Sequence, residues 1–158
     1  MAIKTIRLLM TMMIGCNKTN LSTLKKHQKM FTVEQIKTSH SKVKSGADFP
    51  SYIQEIKTLG VTHYEAYVTD GHVEYHGTNN HTAIAPAKYD ALPIAEIVDM
   101  ETFKSELIAH QQGKTDYLTF INMSAETGIE KWKVCMDKMT CTYYDKSGNE
   151  VLVEAIPQ

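Results

Sequence analysis

The chain has 158 residues, enough for one domain that buries an apolar core without disulfides or a metal to staple it. An apolar fraction of 42% and a charged fraction of 22% exclude a disordered chain and a multispanning membrane protein. Lysine and arginine number 17 against 18 aspartate and glutamate, so no net basic field exists to hold phosphates, which disfavours a nucleic-acid partner.

Residues 1–29 read as an extension outside the fold. Lys4 and Arg7 precede the apolar run 8–14, and Met13-Ile14-Gly15-Cys16 is like a lipoprotein cleavage box, which makes Cys16 the lipidated residue in the alternative reading. The run is too short to span a bilayer, which needs about 20 residues. The odd cysteine count, with no CxxC pair, suits a reducing compartment, so a cytoplasmic protein is expected, a membrane-anchored lipoprotein being the alternative.

The domain proper is expected at 30–158. Phe31-Thr32-Val33-Glu34-Gln35-Ile36 holds an N-cap threonine, a capping-box glutamine and a Phe31/Ile36 staple. Val33, Ile36, His40 and Val43 then share a helix face that Gly46 stops. A second helix is expected over 50–59, closed by Gly60. The period then changes to two: 61–68 and 72–76 read as a hairpin about Asp70-Gly71, followed by a short strand at 81–85, an irregular connection at 86–93 and a weak strand at 94–98. Helices return at 100–112 and after Thr115, the expected cap, ending at Gly113 and Gly128. Strands at 130–136, 139–144 and 150–155 complete the chain, the last two joined by a glycine-bulge turn at 145–148.

Helix, helix, strands thus occurs twice. A shift of 68 residues, the distance from Gly60 to Gly128, also superposes Asp48 on Asp116, Tyr52 on Phe120, Tyr64 on Trp132 and Tyr75 on Tyr143. The half-repeats are placed at 30–98 and 99–158. The fold class is α+β: a two-layer sandwich with helices on one face of a largely antiparallel sheet.

Pairing about Asp70-Gly71 sets Glu65 opposite His76 and Tyr67 opposite Glu74, so His63, Glu65, Glu74 and His76 share one polar face. Two imidazoles and two carboxylates within cross-strand reach are the residue types that hold a divalent metal or divide acid and base roles, although the solvent face of a half-covered sheet carries the same alternation. Cys135 falls on the polar face beside Lys131 and Lys133, whose charges favour a thiolate, and Tyr144 is the exposed aromatic placed to stack a ligand. His40 and His110 fall on apolar stripes, where a histidine is usually partly buried and satisfied by a neighbour. The signatures GxSxG, HExxH and the Gly-rich phosphate loop are absent.

At "MFTVEQIKTSHSKVKSGADFPSYIQEIKTLGV", "AHQQGKTDYLTF" and "EKWKVCMDKMTCTYYDKSGNEVLVEAIPQ" the chain resembles the YdfO-like family of small bacterial and prophage proteins, with Trp132 and the 139–145 run the most specific part. The resemblance implies a two-layer α/β sandwich and supplies no catalytic residues. The expected function is therefore a non-enzymatic binding or regulatory module, its small-molecule or protein partner seated in a groove between the two halves. The alternatives are a metal-dependent or acid–base enzyme on the His63/Glu65/His76 face and a phage-derived structural component.

Overall fold

The computed structural model describes residues 30–43 and 48–157, so Cys16, the extension at 1–29 and Gly46 lie outside the described residues. Four helices and six strands follow in the order α1 (Val33–His40), α2 (Phe49–Leu59), β1 (Val61–Tyr67), β2 (Val73–Gly77), β3 (Thr82–Ala85), α3 (Met100–Gln111), α4 (Tyr117–Glu126), β4 (Lys131–Cys135), β5 (Thr140–Tyr144) and β6 (Glu150–Ala155). All neighbouring strands are antiparallel in one sheet ordered β3-β2-β1-β4-β5-β6.

Local chemistry sets the helix ends. Gln35 N–H donates to Thr32 Oγ1 (3.3 Å) and Thr32 N–H to Gln35 Oε1 (2.9 Å), closing the capping box, while Phe31 and Ile36 are both buried beneath it. Asp99 caps α3 and Asp116 caps α4, each carboxylate accepting the N–H three residues on. Asp116 therefore takes the role expected of Thr115, whose carbonyl instead serves His110. Gly60 leaves α2 at φ 106, an angle that other L-residues adopt only at a cost. The weak strand expected at 94–98 is not formed. Ala95 and Asp99 N–H donate to the carbonyls of Ala125 and Thr127 at the end of α4, and Ile94 plugs the core while Ile97 faces water.

The core lies between helices and sheet. Ile53, Ile56, Val68, Phe103, Ile121, Ile129, Val134 and Met136 are fully buried, and Tyr64, Tyr75, Cys141 and Tyr143 line the same face of the sheet. The elements recur at the 68-residue shift, and so do three left-handed backbone positions: Gly60 with Gly128, Gly71 with Met139, and Asn80 with Gly148. The halves meet where β1 pairs with β4, with Glu65 facing Lys133. Those two residues are themselves related by the shift, so a local two-fold axis passes between them. The seam is continuous hydrogen-bonded sheet on its open side, not the groove expected between halves.

Candidate functional site

Alternation along the strands sends one set of side chains to the core and the other to a face covered by none of the described helices. Across the middle of that open face runs a row with one residue from each strand: Ile84, Glu74, Glu65, Lys133, Thr142 and Val153. At a strand spacing of about 4.8 Å the row is about 24 Å wide. Its ends are apolar and exposed, Ile84 at 57% and Val153 at 51%.

Charge is concentrated at the seam. Lys131 Nζ donates to Glu65 Oε2 (2.8 Å), Tyr67 OH donates to the same oxygen (3.1 Å), and Lys133 Nζ lies 3.5 Å from Oε1. Burial pushes the Glu65 carboxyl up, but hydrogen bonds from Lys131 and Tyr67 and the Lys133 charge outweigh it and hold it below its ordinary value. The same Lys131 ammonium sits 5.2 Å from the Tyr67 ring and 5.7 Å from the Tyr144 ring.

Beside the seam, His63 and His76 are cross-strand partners whose rings stack at 4.5 Å, 7° from parallel. Burial, Lys133 and the neighbouring imidazole together lower the His63 pKa against the opposing pull of Glu65, which favours the neutral ring. Glu74 lies 3.7 Å from His76 Nε2 and 3.9 Å from His72 Nε2. His72 in turn pairs with Asp70 at 2.5 Å and stacks on Tyr67.

The expected hairpin register is corrected by two residues: Glu65 faces Glu74, and His63 faces His76. The cause is a longer turn. Val68 leaves the hairpin to donate to Glu130 O (2.8 Å) and is fully buried, so Tyr67 and His72 close a four-residue loop. An even shift keeps all four predicted residues on one face but does not make them converge. Glu65 is turned to lysines and the two imidazoles lie flat on each other; among the described residues no three His, Cys, Asp or Glu side chains are placed to hold a metal ion.

Cys135 is half-buried with a free thiol, and its cross-strand neighbours are His63 and Thr140. The histidine beside it escaped sequence reasoning because the β1–β4 pairing joins residues about 70 positions apart in the chain. Cys141 points to the core, where burial pushes its thiol up to about 12. A shallow hollow of about 330 Å³ is lined by Cys135, Tyr144, His63, Lys133 and Lys138 among others, bringing both predicted ligand contacts to one place. His110 is part-buried as expected, with Nδ1 3.1 Å from Thr115 O and its ring stacked on Phe120. His40 departs from expectation: Ser39 takes the buried position, and His40 is exposed with its ring edge-on to Tyr52.

Residues 37–155 match the family described as protein of unknown function (DUF1398). No curated protein matches the chain. Among the described residues no helix is long and apolar enough to cross a membrane.

Proposed function

We propose, for a chain that belongs to the DUF1398 family of proteins of unknown function, that residues 30–158 form a single non-enzymatic module that binds a protein partner through the open face of its sheet. The observation that carries this reading is the central row, where Glu65, paired with both Lys131 and Lys133, is flanked at both sheet edges by an exposed branched apolar side chain. A broad sheet face with apolar anchors at both edges suits a protein, and the hollow on it is shallow where a small molecule needs a concave site that encloses most of it. The acid–base alternative would rest on Glu74 and His76, 3.7 Å apart, because Glu65 contacts lysines and Tyr67 instead of an imidazole.

The test compares proteins recovered from cells with the wild-type chain, the Ile84→Asp/Val153→Asp double variant and the helix-side control Ile108→Asp. At least one protein is expected with wild type and control but lost from the double variant. An identical set from all three would overturn the proposal.

A further inference from the structure

Beside the charged seam, the His63–His76 pair joins two titratable rings more closely than any other contact on the open face. The strand register sets the two residues directly opposite each other in β1 and β2, and their rings lie 4.5 Å apart and 7° from parallel. A face-to-face pair at that distance is favourable while at least one ring is neutral, because two imidazolium charges so placed repel.

Hydrogen bonding fixes which atom of His63 takes the proton. Thr62, at the irregularity between Val61 and His63, donates its hydroxyl to His76 O (3.0 Å), and the same Oγ1 lies 3.2 Å from His63 Nδ1. A hydroxyl has one hydrogen to give, so the second contact is His63 Nδ1–H donating to Thr62 Oγ1. Neutral His63 is thereby held in its Nδ1–H tautomer, and Nε2 is the atom left to take a proton.

The groups around the pair differ from strand to strand. On β2, Glu74 Oε2 lies 3.7 Å from His76 Nε2, and the same carboxyl group reaches His72, which pairs with Asp70. On β3, Thr82 Oγ1 is 3.4 Å from His76 Nδ1. On β4, Cys135 is the cross-strand neighbour of His63 and Lys133 stands diagonal to it, while the turn after β4 brings Asp137 and Lys138 to the hollow that His63 also lines. Glu65, the acid of β1, is held by Lys131 and Lys133. A charged His76 thus has a carboxylate within ion-pair distance, whereas among the described residues His63 has none. Burial, the Lys133 charge and the His76 ring all favour the neutral form of His63.

We propose that the His63–His76 stack is a proton-operated switch on the open face: the rings lie flat on each other while His63 Nε2 is unprotonated, and they part when both carry a charge. Parting adds positive charge beside the central row and changes the surface offered to a partner. That consequence rests on the open-face reading above, whereas the switch itself is a property of the unbound chain.

The experiment follows the histidine rings of the full chain, ¹³C- and ¹⁵N-labelled, by NMR from about pH 8 to about pH 5, the range in which histidine changes charge. At the upper end, ring-to-ring NOEs are expected between His63 and His76, with the His63 proton on Nδ1. Those NOEs are expected to be lost in the step that protonates His63 Nε2, while the amide dispersion of the sheet is kept. His76→Phe keeps a flat ring without the charge: ring contact with His63 should then survive in acid, and His63 should take its proton at higher pH than in the wild type. Absence of the NOEs at the upper end, their survival once both rings are protonated, loss of contact at the same pH in His76→Phe, or unfolding before the rings part would each overturn the switch. No partner enters the experiment, so its failure leaves the open-face reading standing, and failure of that reading leaves the switch standing.

Discussion

The two halves share a backbone and differ in what they present. Phe49 and Tyr117 open equivalent helices, Ile53 and Ile121 are equally buried, and the chain turns left-handed at equivalent positions. On the open face the equivalence is inverted in charge: Glu65 of the first half corresponds to Lys133 of the second, and His63 to Lys131. Because the local axis passes between Glu65 and Lys133, that inversion turns a repeated position into an ion pair across the seam. On the helix side, Lys88 of the first half lies over the Tyr117 ring of the second. In the second half the Tyr143 hydroxyl and Gln111 both reach Glu154. Turn geometry and the positions that are buried are common to the two halves, while the exposed residues differ.

The largest effect breaks the equivalence of Ile56 and Ser124, which occupy the same place in α2 and α4 and are both fully buried. Ile56→Ala is expected to cost about 2–5 kcal/mol in chemical denaturation, through lost burial and the cavity left behind. Ser124 carries a buried hydroxyl with no partner among the described residues. Ser124→Ala is expected to be neutral or to stabilise by about 1 kcal/mol, because no hydrogen bond is lost with the oxygen. A comparable loss from both would contradict the packing described for α4.

Next come the glycines that end the paired turns. Gly128 has φ 83, and a Cβ there would lie 2.9 Å from Ile97 O; Gly148 has φ 81 with nothing within 4 Å. Gly148→Ala is expected to cost about 1 kcal/mol from backbone strain alone, and Gly128→Ala about 1–3 kcal/mol more because the neighbouring backbone must move. Urea midpoints order the two.

The seam is sharpened by acid titration. The folded-state carboxyl of Glu65 is held below the ordinary 4.5, so its contribution is complete above that value and is lost as pH falls through the lowered one. Glu65→Gln is expected to cost about 1 kcal/mol at neutral pH, and the stability difference from wild type should shrink in acid. His63 is lowered from 6.5, so folding disfavours its protonation and stability falls as pH drops below 6.5. His63→Gln should flatten that limb in the same thermal-melt series.

The smallest effect on stability is expected at the sheet edges. Ile84→Asp and Val153→Asp each replace an exposed side chain and should change the unfolding free energy by less than about 0.5 kcal/mol. A large loss at either position would mean that the edge is packed instead of presented.

Much of this architecture is legible in the chain because it is local. Thr32 with Gln35, the glycines at 60 and 128, and the period-two runs each act over a few residues, and they place every helix and strand except the one expected at 94–98. That segment is decided by backbone bonds to α4, which its own pattern does not encode. The open face was legible as a set of residues but not as a site. The alternation places His63, Glu65, Glu74 and His76 together, whereas Glu65's partners depend on β1 lying beside β4.

The proposed function is tested most directly by photocrosslinking in living cells, with a benzophenone amino acid placed in turn at positions 84, 153 and 108. A discrete crosslinked protein band from positions 84 and 153, with none from position 108 on α3, is the result expected if the open sheet face is the recognition surface. A band from position 108 with none from the two sheet edges would contradict it.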